Sequence, residues 1–328
     1  MWEGDRLAMT DEFERIARLF RPLTEGAPEA FGLLDDAAAI PCRAGHDLVI
    51  TKDAMVEGVH FLPGDPPGLV ARKLLRTNLS DLAAKGAEPY AYFLAVAWPR
   101  HWDEAAKSAF AAGLAEDQRA FGIKLLGGDT VSTPGPFTAS LTALGWVPAG
   151  RMVRRGGARA GDILLVSGVI GDGVLGLAAA KGELPEASAE DRQSLIARYQ
   201  TPDPRLGLRE ALRRHASAAA DVSDGLLADA GHIGTASEVG IEIALDRLPL
   251  SPAGQRWLQR APDRAAALLR LATGGDDYEV VCAVLPADAE ALAVAGMTAI
   301  GRATAGQGVR VTFEGAPVDA PARGWSHQ

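Results

Sequence analysis

The chain is poor in the residues that mark several large classes of protein. Its 328 residues include two cysteines, Cys42 and Cys282, far apart and outside any CxxC. That excludes a disulfide framework and a thiolate zinc site, and both fit as small apolar core residues. Aromatics are only 6%, so the plentiful Ala and Gly read as Ala-rich helices packed on glycine-punctuated strands. A basic excess is missing: 33 Lys and Arg stand against 42 Asp and Glu, a formal charge of -9. The electrostatic footprint of a nucleic-acid binder is therefore absent. The longest apolar run, residues 91–98, is too short to span a bilayer. The opening segment MWEGDRLAMTDEFERIARLF carries acids and no continuous apolar stretch, unlike a signal peptide. A cytoplasmic protein with neither a nucleic-acid nor a membrane partner is expected.

The familiar phosphate-loop motifs are missing as well. No GxxxxGK[ST] occurs, and no HRD or DFG set. Gly171-Asp172-Gly173-Val174-Leu175-Gly176 fits GxGxxG, but a dinucleotide site also needs an acid at the end of a second strand about 20 residues on. The chain offers a polar stretch there, so close packing of a helix on a strand accounts for these glycines.

What is present is an ordinary globular balance, 48% apolar and 23% charged, over a length that suits two domains. An amphipathic helix opens at Thr10, with Phe13, Ile16, Leu19 and Phe20 on one face. Helices are expected over residues 67–85, 103–121, about 171–181, 204–215 and 224–239. Strands are expected over 48–51, 90–98, 123–126, 137–147, 162–167, 219–222, 241–245, 278–284 and 309–313. Residues 182–192 read as a polar loop. The stretch 148–161, rich in Gly, Arg and Pro, divides the chain into domains 1–148 and 149–328. Strands and helices mix throughout, which argues for α/β layers.

Aspartates recur at expected strand ends and glycine turns: Asp35-Asp36 after Gly32, Asp53 after LVIT, Asp129 after Gly127-Gly128, and Asp221 and Asp224 around Ser223. Strand ends of α/β sheets collect ligand sites. Mg²⁺ takes oxygen ligands and suits one or two carboxylates per ion together with substrate phosphates. Each aspartate alone also fits a turn or an N-cap. Asp81 does not, because its neighbours Leu79, Leu82, Ala83 and Ala84 read as buried and an unpaired buried carboxylate is costly. Two short stretches, NLSDLA at 78–83 and DVSDGLLA at 221–228, resemble each other too briefly to establish a repeat.

Taken in order, LLDDAAAI, TKDAMVEGVHF, NLSDLAAKGAEP, GGDT, RRGGARAGD, DVSDGLLADAGHI and GGDDYE resemble the thiamine-monophosphate kinase family, within the superfamily that includes aminoimidazole ribonucleotide synthetase. The resemblance runs from about Asp11 to Trp325. It implies a two-domain α/β sandwich whose N-terminal sheets pair across a homodimer, with the first domain carrying ATP, metals and the dimer contact and the second completing the nucleotide and substrate sites. It implies direct transfer of the ATP γ-phosphoryl group to thiamine monophosphate, with several Mg²⁺ ions and K⁺ as a further candidate. By position, Asp36, Thr51, Asp53, Asp81, Asp129, Asp221 and Asp224 match metal-binding residues, with Asp35 as an alternative ligand. Gly128, Asp129, Arg155 and Ser223 match nucleotide contacts, and His60, Asp276 and Trp325 line the thiamine-phosphate site.

The acceptor is already an anionic phosphate oxygen, so no obligatory general base is expected. Repulsion between two anions is the main obstacle, answered by metals and by the planar fork of Arg155. Trp325 offers a flat face to the cationic thiazolium. Lys52 departs from the Ser or Thr usual in the family, and a charged amine cannot ligate Mg²⁺. It is expected to turn toward a phosphate or to pair with Asp53. Leu34 replaces a usual Gly, and Asp276 a common Glu. The competing readings are a purine-pathway ATP-dependent synthetase of the same superfamily and a non-catalytic maturation or scaffold protein on the same fold.

Overall fold

The computed structural model describes residues 14–320 and Gly324; the start of the expected opening helix, Thr10 to Phe13, and Trp325 lie outside them. The chain forms two compact units, residues 1–78 with 89–146 and residues 79–88 with 147–328. The division falls inside the first long helix, after Asn78.

The first unit is built on a four-stranded sheet of order β1-β4-β2-β3. Its strands are β1 (His46–Val56), β2 (Glu88–Pro99), β3 (Lys124–Thr133) and β4 (Thr138–Pro148). Helices α1 (Pro67–Ala84) and α2 (Glu104–Phe121) accompany it. Helix α2 begins where the Asp103 carboxylate accepts the Ala106 N–H at 2.8 Å and stops at Gly122, which takes the left-handed conformation at φ 66°. The two helices approach closely because both carry glycine at the contact: a Cβ on Gly113 would overlap the Gly68 backbone. Beside that contact the buried Asp117 receives Arg72 at 3.1 Å and Arg76 at 2.6 Å. The scarce aromatics gather here, with Trp102 stacked on Phe137 at 4.3 Å and Trp98 edge-on to Phe110 at 5.5 Å.

Strand β3 does not stop at Gly127. It continues through Gly127-Gly128-Asp129-Thr130 to Thr133, paired in parallel with β2. Glycine is needed here for close approach: a Cβ on Gly128 would overlap the Leu94 carbonyl. Strand β1 likewise runs past Thr51 to Val56. Asp53 and Asp129 therefore sit within strands, not at strand ends.

The second unit holds a seven-stranded mixed sheet of order β11-β10-β7-β9-β5-β8-β6. These are β5 (Ile163–Ser167), β6 (Ala216–Val222), β7 (Gly240–Ala244), β8 (Glu279–Val284), β9 (Met297–Thr304), β10 (Val309–Phe313) and β11 (Ala316–Val318). Strands β10 and β7 run parallel and the other pairs antiparallel. Among the described residues seven α-helices accompany it: α3 (Asp172–Ala180), α4 (Ala189–Gln200), α5 (Arg209–His215), α6 (Leu226–Ser237), α7 (Pro252–Gln259), α8 (Arg264–Thr273) and α9 (Ala289–Val294). Alternate residues of the central strands enter different cores, as the period of two demands. Leu164, Val166, Val281 and Ala283 join Leu226, Ile233 and Leu268 from α6 and α8. Leu165, Val280 and Cys282 join Leu212 and Leu292 from α5 and α9. Burial pushes the Cys282 thiol up to about 12. Cys42, expected in a core, is exposed.

The expected polar loop 182–192 is shorter than read, because α4 begins at Ala189. Ser188 caps it, accepting the Asp191 N–H at 3.0 Å. Among the described residues no helix is long and apolar enough to cross a membrane.

Candidate active site

In the first unit the candidate residues ride on strands. Thr51 and Asp53 lie on β1 and Gly128 and Asp129 on β3, the two edges of the sheet. Two strands separate them, so one chain holds these pairs roughly 14 Å apart at ordinary strand spacing. Each pair is held locally. The Asp53 N–H donates to the Asn78 side chain at 3.2 Å, and its carbonyl accepts from Ser140 at 3.1 Å. The Asp129 carboxylate accepts the Thr130 N–H at 2.8 Å, and the Thr130 hydroxyl accepts from Trp98 at 2.6 Å. Lys52 reaches Thr142 on β4 at 3.4 Å; strand alternation places it on the opposite face from Thr51 and Asp53.

Asp35 and Asp36 are exposed on a loop outside the sheet. The flanking segments rest on the sheet through Ala30, Leu33, Ala38 and Ile40 against Ala91 and Leu126. Tyr90 fixes the same stretch by donating to Glu29 at 2.7 Å. Phe31, Gly32 and Leu33 all have positive φ. His60 closes the turn after β1, where its Nδ1 accepts the Val56 N–H at 3.0 Å.

In the second unit the candidates ride on loops sewn to one another. Asp221 is the penultimate residue of β6, and Ser223 and Asp224 precede α6. Buried Asp229 lies behind this loop and accepts the N–H groups of Ser223 and Asp224 at 3.0 and 3.1 Å. Burial and the Asp224 charge push its carboxyl up to about 7. The Gly274-Gly275-Asp276-Asp277-Tyr278 segment is tied to the same loop. Asp276 N donates to Ser223 O at 2.9 Å and Tyr278 N to Val222 O at 2.7 Å. Positive φ at Asp276 and Tyr278 turns successive side chains apart. Asp276 accepts the Tyr278 hydroxyl at 3.1 Å. Asp277 turns inward and accepts Gly171 N at 2.8 Å and Gly173 N at 2.9 Å; burial pushes it up to about 8. Buried Glu279 anchors the segment's end, receiving Arg198, Arg205 and Ser167 at 2.5–2.6 Å.

These contacts explain the GxGxxG match without a dinucleotide. Two of its glycines donate to Asp277, a Cβ on Gly173 would strike the Asp276 carbonyl, and one on Gly176 would overlap Leu195 of α4. The close packing is against a loop and a second helix, not against a strand.

Asp81 lies in the last turns of α1, where Leu79, Leu82, Ala83 and Ala84 are fully buried. Lys85 follows it and donates to the Ala219 carbonyl at 2.8 Å. Burial lowers the Lys85 pKa, opposed by the charges of Asp221 and Asp81, while Arg155 lowers it further. Arg155 also acts on Asp229. Asp81, Lys85, Arg155, Asp221, Asp224 and Asp229 therefore share one electrostatic environment. Arg155 is exposed, on a backbone pressed inward: Arg154 O accepts the Ala219 N–H at 2.9 Å, and a Cβ on Gly157 would overlap the Ser217 carbonyl. Gly324, the neighbour of Trp325, packs against Asp224 O and Ala228.

The donors suit a hard cation, being carboxylate and hydroxyl oxygens without thiolate. Among the described residues one trio of metal-competent side chains, Asp224, Asp229 and His232, has ligand atoms within 4.8 Å of one another.

Comparison with known proteins decides the family. The models for AIR synthase related protein match residues 34–147 with the N-terminal domain and 159–314 with the C-terminal domain. Thiamine-monophosphate kinase of Caulobacter vibrioides is 55% identical over 322 residues, 96% of this chain and 90% of that one. The chain belongs to the thiamine-monophosphate kinase family. A crystal structure of thiamine-monophosphate kinase from Stenotrophomonas maltophilia superimposes with a TM-score of 0.81 at 36% identity, covering 93% of this chain and 97% of that one. A second relative, solved in complex with AMPPCP and TMP, has a TM-score of 0.78 at 29% identity over 91% and 96% of the two chains. The two-domain α/β architecture expected of the family is the one found.

Sequence reasoning missed Asn78, Lys85, Asp229, Asp277 and Glu279, which support the candidate residues or lie beside them, although all lie inside the quoted motifs. Each acts on the backbone or charge of a neighbouring candidate, and motif order does not reveal which members of an acidic run face inward.

Proposed function

We propose that the chain transfers the γ-phosphoryl group of ATP directly to thiamine monophosphate, yielding thiamine diphosphate and ADP. The observation that carries this reading is the 55% identity over 96% of the chain to a thiamine-monophosphate kinase. Asp36, Thr51, Asp53, Asp81, Asp129, Asp221 and Asp224 are assigned to Mg²⁺, with Asp35 beside them. Gly128, Asp129, Arg155 and Ser223 are assigned to ATP, and His60, Asp276 and Trp325 to thiamine monophosphate. Mg²⁺, when bound, neutralises phosphate charge and orients the phosphates.

The chain's own part is positional and electrostatic. Arg155 offers a planar fork to phosphate. Asp229 aims the Ser223-Asp224 backbone, and the stitched Asp276 loop sets a carboxylate toward the thiamine moiety. A phosphate acceptor needs no deprotonation, so none of these groups is required to remove a proton. We further propose a homodimer closed through the sheet edges of the first unit. Both edge strands present an exposed apolar side chain, Ile50 at 60% on β1 and Val131 at 51% on β3, and open sheet edges favour pairing. The reading places the enzyme in the cytoplasm, where ATP is supplied, with K⁺ a further candidate beside Mg²⁺.

A coupled assay with ATP, Mg²⁺ and thiamine monophosphate tests the activity. ADP release is expected with the monophosphate and not with free thiamine; release with neither, by folded protein, sinks the proposal. Light scattering in solution tests the dimer.

A further inference from the structure

We infer that His60 is held as the neutral tautomer protonated at Nε2, acting as a hydrogen-bond donor to an anionic oxygen of the substrate, and that buried Lys73 is the positioning residue that keeps it so. This rests on the assignment of His60 to the thiamine-monophosphate site.

A backbone N–H can only donate. Val56 N lies 3.0 Å from His60 Nδ1, so Nδ1 must present its lone pair and the ring proton resides on Nε2. A second proton would set two donors against each other. The turn carrying this bond is fixed at each corner. His60 N donates back to Val56 O at 3.0 Å, and Gly58 N to Phe61 O at 2.8 Å. Glu57 exchanges bonds with Phe137: its N–H donates to the Phe137 carbonyl at 3.0 Å, and its carboxylate accepts the Phe137 N–H at 3.1 Å. Phe61 meets the Phe137 ring edge-on at 5.9 Å.

Lys73 completes the arrangement from α1. It is 2% exposed, and its Nζ donates to the His60 carbonyl at 3.1 Å. Burying an ammonium is costly unless its bonds are satisfied, and an aliphatic residue would fill the same volume at lower cost. The lysine donates to the backbone of the residue whose ring must hold its angle. The pairing fixes the chemistry offered to a ligand: Nε2–H meets an acceptor such as a phosphate ester oxygen, whereas the other tautomer would present a lone pair and suit a donor.

The test begins with the full-length protein labelled with ¹⁵N and free of ligand. Long-range proton–nitrogen correlation near neutral pH, with His60 assigned by loss of its signals in His60→Gln, should show protonated Nε2 and bare Nδ1. The opposite tautomer, or rapid averaging of both, overturns the inference whatever the enzyme does. With thiamine monophosphate as the varied substrate, His60→Gln keeps an N–H near the Nε2 position and His60→Asn keeps one near Nδ1. The KM of His60→Asn is expected to exceed that of His60→Gln by about 10-fold, the scale of one hydrogen bond to a charged group; equal losses overturn the donor assignment. Lys73→Met should raise that KM by about 10-fold, leave the KM for ATP unchanged and bring the ring signals toward averaging. Unchanged ring signals and KM overturn the role of the lysine, and if this variant fails to fold, the wild-type ring spectrum still decides the tautomer. Absence of turnover in the wild type would sink the kinase reading alone, since the ring spectrum does not depend on it.

Discussion

The two units present their acids in different ways. In the first, Asp53 and Asp129 are carried by strands, and strand pairing together with the neutral side chains of Asn78 and Ser140 holds the backbone around them. In the second, Asp224 and Asp276 are carried by loops, and a further set of buried acids holds those loops from behind. Asp229 grips two N–H groups of one loop, Asp277 joins the other to the Gly171–Gly173 turn, and Glu279 gathers two arginines. A strand leans less on buried acids: at Asp53 the side-chain partners of the backbone are the neutral Asn78 and Ser140, and strand pairing serves the rest. A loop needs partners supplied by side chains, and when it carries like charges those partners lie close to them. The raised carboxyls of Asp229 and Asp277 are the physical cost of that arrangement. Substitutions in the first unit should therefore separate activity from stability, and those behind the loops of the second should not.

The largest expected effect is on turnover. Asp53→Asn and Asp129→Asn keep the shape of the side chain and the strand beneath it, and remove one charge. Each should lower kcat by about 10²–10³-fold, the range for removing one preorganised electrostatic contact, while the unfolding midpoint moves little. Near-normal turnover in both would remove the strands from the chemistry. The counterpart in the second unit is Glu279→Ala. It leaves Arg198 and Arg205, largely buried at 14% and 26% side-chain exposure, without their shared carboxylate. The loss should be about 3 kcal/mol, at the low end for a broken buried pair because both guanidinium groups keep some access to water. Urea unfolding measures it, and a loss below about 1 kcal/mol, ordinary for an exposed pair, would show that the loop stands without its anchor.

How much of this was legible in the sequence follows the same division. The long helices α1 and α2 were readable because their apolar spacing is regular and Asp103 and Gly122 mark the ends of α2. Strand β3 was cut short because Gly127 and Gly128 read as breakers, when their task is to let β3 lie against Phe93 and the Leu94 carbonyl. Helix α4 was missed because only Leu195 and Tyr199 of its apolar residues are buried; Ser188 followed by Glu190-Asp191 was the overlooked start signal. The outward acids were found from motif order. Their inward partners were not, since facing is decided by backbone conformation, here the positive φ at Asp276 and Tyr278. Asn78 and Lys73 were lost for a related reason: a polar residue on a helix reads as exposed until something is packed over it.

A smaller effect sharpens the account of the loops. The Asp277 carboxyl is raised from 3.8 to about 8, chiefly by burial. The folded chain then keeps a proton that the unfolded chain releases above about pH 4. The stability this proton confers is complete below pH 4 and is lost as pH rises through 8, so this group makes the protein less stable toward alkaline pH. Asn at 277 cannot titrate and offers one acceptor oxygen to the two glycine N–H groups. Asp277→Asn should cost about 1 kcal/mol near pH 6 and lose stability less steeply between pH 5 and 8. Parallel pH profiles for the two proteins, measured as unfolding midpoints, would show that Asp277 does not titrate in this range.

The smallest effect is expected at Lys52, and its smallness is informative. The residue stands between Thr51 and Asp53 but occupies the other face of β1, with its amine 3.4 Å from the Thr142 hydroxyl on β4. A side chain on that face does not share the surroundings of its two neighbours. Exposed cross-strand contacts of this kind contribute roughly 0.2–1 kcal/mol, and Thr is a good strand former that would retain part of the contact. Lys52→Thr should therefore change stability by less than about 1 kcal/mol and leave the Mg²⁺ concentration at half-maximal activity where it was. A several-fold shift in that concentration would place the lysine among the charges that set metal affinity. The rule that alternation along β1 sorts site from scaffold would then fail in the unit where the sheet was credited with fixing the site.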